Sequence, residues 1–596
     1  MSHPPPPIET DRTETDEPMR GAIWDHLDCE AASVEVLSRA LQLHPVVARL
    51  LCLRGLDTPE AADRFLNPSL DHLHDPRLLA DMDVAVQRLL DAIGRQERIV
   101  VHGDYDVDGV TSTVILRRVL EMLGANVAHF VPERMRDGYG LQTATLERLH
   151  AEGARIVVSV DCGIRADEAA RRAAALGLDL IITDHHEPGT ELPPAFAVIN
   201  PKRADCDYPD KNLAGVGVAL KIVQELCRRS GRTSWLPAFV KVAAIGTLAD
   251  VVPLSGENRV ISKLGLAALS SGRHTTGLRA LLDASGLTGK QLDGFHVSYV
   301  LAPRVNAAGR MSTPDLATRL LLITGDEMAD EAMALAEQLN AENVRRQQEE
   351  ADVLAQALEV VEADPALAER RVLVVEGARW HRGVIGIVAS RLVDRFCRPA
   401  IVLSTDEGVA HGSCRSVPAF DLLDGLDHCR ELFDRYGGHR QAAGLTMDAS
   451  RVDAFRSRLD AYARARLQPE DLRPRLRIDA DLDLHEIDDR LVGGLARLGP
   501  FGAGNPRPVF HARNVEVARG PRTIKERHIR MSLRQDGRVL QAMAWRAADA
   551  APFFEANRAA LDVAFSVEES EFRGERYVEL HLADARLPTG VPVVVP

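Results

Sequence analysis

Arg98-Ile99-Val100-Val101-His102-Gly103-Asp104-Tyr105-Asp106-Val107-Asp108-Gly109 decides how the rest of this chain is read. A short apolar run meets three aspartates at alternate positions, and Gly109-Val-Thr-Ser-Thr-Val-Ile-Leu then opens a helix-like pattern. An isolated buried carboxylate is too costly to leave unpaired. A strand that enters a helix through an acidic turn places these groups at its carboxyl end, where an open α/β sheet holds its ligands. A cluster of that charge suits a divalent cation. The plainer alternative is a solvated acidic turn with Asp108-Gly109 as its bend.

Outward from this stretch the alternation continues. Apolar segments at Ile99–Val101, Val127–Val131, Ile156–Val160, Leu178–Thr183 and Ala197–Ile199 are separated by amphipathic ones. Such alternation predicts βαβ units and a largely parallel sheet over 96–255. Residues 1–20 are proline-rich and then acidic, and read as disordered. Residues 21–95 carry irregular helical patterns, and 256–325 reads as a helical region completing the catalytic core. Ala302-Pro-Arg-Val-Asn-Ala-Ala-Gly-Arg310 interrupts that region. Residues 326–362 run long, helical and charged without a proline, and 326–365 reads as a connector. A second α/β unit covers 366–470, and β-prone segments fill 471–596, which suits an oligonucleotide-binding (OB-like) barrel. The expected fold is therefore α/β, with a parallel-sheet catalytic domain, a connecting helix, a second α/β domain and a C-terminal all-β module.

The 596 residues carry a net charge of −15, which argues against a generally basic nucleic-acid binder. Binding depends on where basic residues cluster, however. Arg519, Arg522, Lys525, Arg527, Arg530 and Arg534 form one such cluster, opposed locally by Glu526. A solvated strand face is the alternative. The eight cysteines include no Cys-x-x-Cys pair, which argues against a disulfide framework or a structural zinc site. Neither a secretory leader nor a membrane span is expected, so the cytoplasm is the expected location.

Three further segments place acids or imidazoles after apolar runs: Asp161-Cys-Gly163, Asp184-His185-His186 and Asp250. A single aspartate after a strand is more often a helix cap than a ligand. Strands of one parallel sheet share a carboxyl edge, so several such segments can converge there. Carboxylates with imidazoles and no thiolate favour Mn²⁺ or Mg²⁺. Up to eight donors exceed the needs of one ion, so a two-metal site for phosphoester hydrolysis follows.

Asp104-Tyr-Asp106-Val-Asp108-Gly109, Asp161-Cys-Gly163 and Asp184-His185-His186 resemble the motifs of the DHH phosphoesterase superfamily. Trp380-His381-Arg-Gly383-Val-Ile-Gly386 and Gly437-Gly438-His439 resemble its DHHA1 domain. Pro303-Arg304-Val-Asn306-Ala-Ala-Gly309-Arg310 and Pro500-Phe501-Gly502-Ala-Gly504-Asn505-Pro506 are similar to segments of its bacterial single-strand-specific exonucleases.

The resemblance implies 5′→3′ degradation of single-stranded DNA to 5′-mononucleotides, with Mn²⁺ or Mg²⁺, in DNA repair and recombination. It implies Asp106, Asp108, Asp161, His185 and Asp250 as metal ligands, with His186 as a further ligand or a contact to the scissile phosphate. Asp104 is a ligand or orients the loop, and His102 is a candidate nitrogen ligand, as in related small phosphoesterases. Ser413, Arg415, Gly437, Gly438 and His439 become candidate phosphate contacts. Arg310 is the candidate for a 5′-terminal phosphate, with Arg304 and Asn306 beside it. Arg522, Lys525 and Arg527 would hold the strand upstream. The expected partners are a DNA strand with a free 5′ end and a delivering helicase or single-strand-binding protein, and a monomer is expected. The competing readings are a phosphoesterase of small nucleotides, usually shorter and without the last module, and a non-catalytic helicase scaffold, which the intact acidic motifs oppose.

Overall fold

The computed structural model describes residues 21–133, 140–572 and 575–588; the first 20 residues, read above as disordered, lie outside it. The chain divides into two compact units. One contains Cys29–Asn343 with Gly493–Arg507. The other contains Val344–Val492, the residues from Pro508 onward, and the N-terminal segment ending at Asp28.

The first unit is built on a five-stranded parallel sheet. Its order is Val127–Phe130, Ile99–His102, Ile156–Val160, Asp179–Thr183, Ala197–Ile199. All the strands of this sheet fall where the alternating pattern placed them. Ile99, Val101, Ile156, Val158 and Ile181 face one core; Val100, Val157, Leu180 and Ile182 face another. Burial on both faces is why these strands read as unbroken apolar runs. The sequence order of the strands is 2-1-3-4-5, which reverses between Ile99–His102 and Ile156–Val160. Ligands bind outside the carboxyl ends at that switch point.

Helices Val107–Met122, Gly215–Arg229 and Leu236–Ala249 cover one face. Ala302–Met311, expected as an interruption, is itself a helix preceded by a π-helical turn at His296–Leu301. Pro303 lies at its start, where a missing N–H costs nothing. The long helix runs Ala329–Ala363, 35 residues. Ala332, Leu335, Ala336 and Leu339 pack in the first unit, and Val353, Ala357 and Val361 in the second. Its polar composition coexists with these two short apolar stripes.

In the second unit, five strands order as Arg435–Gly438, Ala442–Asp448, Val409–Arg415, Ala400–Asp406, Leu373–Ala378. A separate barrel follows. Phe510–Ile524, His528–Gln535, Arg538–Ala544, Glu575–Arg586 and Leu561–Phe572 pair in turn, and the last closes on the first. The stretch 21–95, read as a region of irregular helical patterns, opens instead with a strand. Ile23–His26 pairs in parallel with Arg475–Ile478, and Trp24 Nε1 donates to Asp584 Oδ2 at 2.8 Å. Four residues are too few to show a period of two, so packing on the barrel determines this strand. No helix among the described residues is long and apolar enough to cross a membrane.

Arg259 ties Gly493–Arg507 to the first unit. Its side chain is 1% exposed and donates to the carbonyls of Phe65 (2.6 Å), Leu498 (2.9 Å), Arg497 (3.1 Å) and Gly499 (3.2 Å). Its guanidinium carbon lies 3.4 Å from the Phe65 ring centroid. Removing it leaves buried carbonyls unpaired. Arg259→Met should therefore cost about 2–4 kcal/mol of the first unit's stability. Denaturant unfolding with hydrogen exchange at 493–507 reads this out, and an unchanged midpoint would refute the role.

Candidate metal centre

The Ile99–His102 strand delivers the acidic loop to the switch point. Asp106 caps the Val107–Met122 helix, accepting from Gly109 N at 3.0 Å. Gly109 leaves room for the loop to fold back: a Cβ there would lie 2.6 Å from the Asp104 backbone. Asp108, 2% exposed, accepts from Gly215 N and Val216 N, both at 2.7 Å. Those amides open the Gly215–Arg229 helix, whose positive end favours a carboxylate.

Asp161 follows the Ile156–Val160 strand with φ +60, a left-handed conformation unusual for this residue type. A Cβ at Gly215 would lie 2.6 Å from Asp161 Oδ1, so glycine is required where the helix meets this carboxylate. Asp250 ends the Leu236–Ala249 helix. His185 Nε2 lies 3.2 Å from Asp161 Oδ1, 3.6 Å from Asp250 Oδ2 and 4.0 Å from Asp108 Oδ2.

At this sheet edge, among the described residues, three groups have potential ligand atoms mutually within 4.8 Å: Asp104/Asp106/Asp161, Asp108/His185/Asp250 and Asp161/His185/His186. Asp161 and His185 belong to two groups each, so the clusters are contiguous. Asp104 is thereby placed with the other acids. His102 joins none of the three groups. At the end of its strand its ring packs 5.3 Å from that of Phe130, and its Nδ1 lies 3.9 Å from Cys162 Sγ.

Burial, then the neighbouring Asp106, pushes Asp104 up to about 8 and Asp108 up to about 7. Burial, then Asp108 and Asp106, pushes Asp250 up to about 9, and Asp161 is raised as well. Burial lowers His185 to about 4. The Leu213 backbone accepts from its ring, leaving Nε2 as a lone pair that faces carboxylate oxygens. Asp104 Oδ1, Asp161 Oδ1, His185 Nε2 and Asp250 Oδ2 are all buried without a hydrogen-bond partner. Converging acceptors without a donor are what a cation resolves. The residues fit Mn²⁺ or Mg²⁺, with donors enough for two ions.

Asp184 has a different function, which sequence reasoning did not assign. Its carboxylate accepts from Ile164 N (2.9 Å), His185 N (2.7 Å), His186 N (3.1 Å) and the His186 ring (2.7 Å). It orients both histidines, as carboxylates behind ligand imidazoles do. Burial works against His186 protonation, but the hydrogen bond and charge of Asp184 prevail and raise its pKa.

The candidate DNA contacts separate. Asn306 Oδ1 accepts from Val107 N at 3.1 Å, so it braces the acidic loop. Arg304 is 5% exposed and donates to Val300 O and Asn340 Oδ1, at 2.6 and 3.0 Å. Buried and hydrogen-bonded in this way, it is a tie between helices rather than a phosphate contact. Arg310 is half-exposed on the same helix. In the second unit Arg415 donates to Ser413 Oγ and Cys414 O, while Gly437, Gly438 and His439 lie exposed along the sheet's edge strand and the turn after it. Arg522, Lys525 and Arg527 are exposed on a hairpin turning at Lys525-Glu526, both with positive φ. The basic cluster is smaller than expected: Arg534 pairs with Glu516, and Arg530 with Glu579 at 3.4 Å. These acids come from outside the cluster's own stretch of sequence.

Family models match three regions: the DHH family N-terminal domain over 98–247, the DHHA1 domain over 369–465 and the RecJ OB domain over 478–584. The single-stranded-DNA-specific exonuclease RecJ of Salmonella typhimurium is 32% identical, covering 91% of this chain and 96% of its own. The chain belongs to the RecJ family. The Bacillus subtilis RecJ is 39% identical over 87% of this chain, which spans 65% of that relative's length. The crystal structure of RecJ from Thermus thermophilus in complex with Mn²⁺ matches with a TM-score of 0.81 at 33% identity, covering 95% of this chain and 80% of that one. Its Mg²⁺ complex matches at 0.75.

The raised carboxyls carry a pH consequence. Unfolded aspartates ionise near 4, whereas Asp104, Asp108 and Asp250 hold protons in the fold to about 8, 7 and 9. Raised acids contribute stability at low pH that is lost as pH rises through their folded values. Metal-stripped protein should therefore lose melting temperature from about pH 4 to 9 and level off above that, and saturating Mn²⁺ should flatten the profile. Coincident profiles with chelator and with Mn²⁺ would refute the assignment.

Proposed function

We propose that this chain removes 5′-mononucleotides from the 5′ end of single-stranded DNA, using two divalent cations held by Asp104, Asp106, Asp108, Asp161, His185 and Asp250. The observation that carries the reading is the set of four buried, partnerless acceptors, Asp104 Oδ1, Asp161 Oδ1, His185 Nε2 and Asp250 Oδ2, in one acidic cluster. The RecJ relatives support the substrate.

The cations supply the charge that activates water and stabilises the departing oxygen in an in-line displacement. The bond broken joins phosphorus to the 3′ oxygen of the first nucleotide, so the shortened strand keeps a 5′-phosphate. The chain's residues set the geometry. Asp108 is anchored by two helix-terminal amides, and Asp106 by its own helix, so neither carboxylate reorganises during the reaction. His186, held by Asp184, keeps a proton more firmly than a free imidazole and faces the scissile phosphate as a donor. Arg310 lies one helical turn beyond Asn306, which touches the acidic loop, and is placed to take a 5′-phosphate bidentately. In the second unit, the exposed Gly437-Gly438 edge offers backbone amides to phosphates, with Ser413 and Arg415 on the sheet's next strand but one. We also propose a cytoplasmic monomer, with 5′ ends presented by a helicase or single-strand-binding protein.

Strands labelled at the 5′ or 3′ end, their duplexes and short RNAs, each with Mn²⁺, Mg²⁺ or chelator, test the activity. Stepwise loss of mononucleotides from 5′ ends of single strands, abolished by chelator, is expected. Digestion from the 3′ end, or preference for short RNA, would overturn it. Asp161→Asn should lower kcat by about 10³-fold or more and leave strand binding intact. Replacing Arg522, Lys525 and Arg527 by glutamine should flatten the salt dependence of strand binding, by about 0.7 in log–log slope for every phosphate left unneutralised. An unchanged slope would remove the hairpin from the strand's path.

A further inference from the structure

In the second unit three strands each bring one metal-ligating side chain to the same place. His26 closes the N-terminal strand Ile23–His26, in register with Ile478. Asp481 and His511 are register partners on a parallel pair of the barrel sheet. His511 Nδ1 lies 3.0 Å from Asp481 Oδ1, and His26 Nδ1 lies 3.9 Å from the same oxygen. All three residues have potential ligand atoms mutually within 4.8 Å. Packing fixes the central ring. His511 is 2% exposed, with the Trp24 ring edge-on at 5.1 Å and the His26 ring at 5.2 Å. Trp24 is in turn held by its bond to Asp584 and by the Arg586 guanidinium carbon, 3.9 Å from its ring centroid. Arg513 takes Asp481 Oδ2 at 2.9 Å, and Oδ1 is the oxygen turned to both histidines.

One ring proton cannot serve both sides of His511. A neutral imidazole donates from one nitrogen and accepts at the other. With the proton on Nδ1, the ring donates to Asp481 and leaves Nε2 bare. That atom is buried, has no hydrogen-bond partner and lies 3.7 Å from Asp562 Oδ2. Two acceptors then face each other inside the protein, which is costly. A cation on Nδ1 moves the proton to Nε2, so that an N–H faces the carboxylate instead. Metal-bound imidazoles are backed by carboxylates in this way. Asp562 is itself held, accepting from Asn514 N at 3.2 Å.

Two imidazoles and one carboxylate suit Zn²⁺ better than Mg²⁺, which prefers oxygen ligands throughout. Zinc holds such atoms at about 2.0–2.2 Å, which sets tetrahedral neighbours about 3.4 Å apart. The separations of 3.0 and 3.9 Å bracket that spacing. We infer that His26, Asp481 and His511 form a Zn²⁺ site, backed by Asp562 and completed by water, that ties the N-terminal strand to the barrel. It shares no residue with the acidic centre and does not depend on the nuclease reading. It uses no thiolate, so cysteine spacing does not reveal it.

The test uses the full chain, stripped by chelator and dialysed against Zn²⁺ in excess Mg²⁺. Zinc taken up by the acidic centre is common to parent and variants, so the difference between them reports this site. The parent should retain one more Zn²⁺ per chain than His26→Ala, whose substitution lies on an exposed strand end. Co²⁺ in place of Zn²⁺ should give the parent, and not His26→Ala, the strong visible absorption of a four-coordinate ion. Zn²⁺ should slow amide hydrogen exchange at residues 23–26 in the parent alone. Asp562→Asn, which keeps an acceptor for Asn514, should weaken the extra Zn²⁺ by about 10- to 100-fold. Equal zinc content in parent and His26→Ala would overturn the site and leave His511 as an imidazolium paired with two carboxylates. Extra zinc that leaves exchange at 23–26 unchanged would overturn the tie to the barrel.

Discussion

The structure depends on a charge that its own residues do not neutralise. Asp104, Asp106, Asp108, Asp161 and Asp250 meet at one sheet edge, and the imidazole facing them, His185, is held neutral by burial. Burial and mutual repulsion push several of these acids far above their ordinary range. In an interior of low dielectric such a set takes up protons or cations. The surrounding chain is arranged to bear this. Two helix-terminal amides hold Asp108, and small residues permit the close approach: a Cβ at Gly246 would lie 2.2 Å from Thr111 Oγ1 and 3.1 Å from Asp108 Oδ1. The helix packing around the centre follows from the need to bring backbone close to carboxylates.

A second layer holds the first in place. Asp184 uses its carboxylate on backbone amides and on His186, which fixes the His185–His186 pair without entering a cluster with the other acids. Asn306 braces the turn between Asp106 and Asp108, and Arg304 anchors its helix to Val300 and Asn340. Residues that sequence motifs group with substrate contacts thus divide into supports and surfaces. Burial decides between them: Arg304 is enclosed, whereas Arg310, six residues later, is half-exposed.

The parallel sheet was legible because four of its strands are buried on both faces, so apolar runs alone mark them; the edge strand Val127–Phe130 is half-buried. The acidic motifs were legible because strand ends of one sheet converge whatever their spacing in sequence. The Ile23–His26 strand was not, since its partner lies about 450 residues away and its four residues show no period. The Ala302–Met311 helix was obscured by a proline that a first turn accommodates. His102 matches a donor spacing, whereas its packing against Phe130 at the strand end is a contact that spacing does not show. The basic cluster read as larger than it is because Glu516 and Glu579 come from elsewhere in the barrel to pair with two of its arginines. Pairings across long separations are what local pattern cannot carry.

The net charge of −15 and the acidic centre act on a strand in the same direction. Phosphodiesters share the sign of the carboxylates, so the ionised centre repels DNA unless bound cations offset most of its charge. At physiological ionic strength, fields from exposed charges fade over about 8 Å. Under the proposed function the strand would respond to local groups, among them exposed arginines on the hairpin and neutral backbone amides on a sheet edge. Binding by several weak, local interactions suits the proposed activity, in which the strand shifts by one nucleotide after each cut. A single strong electrostatic grip would resist that shift. The cations therefore serve the chain twice, in making the centre chemically competent and in making it electrostatically accessible to the strand.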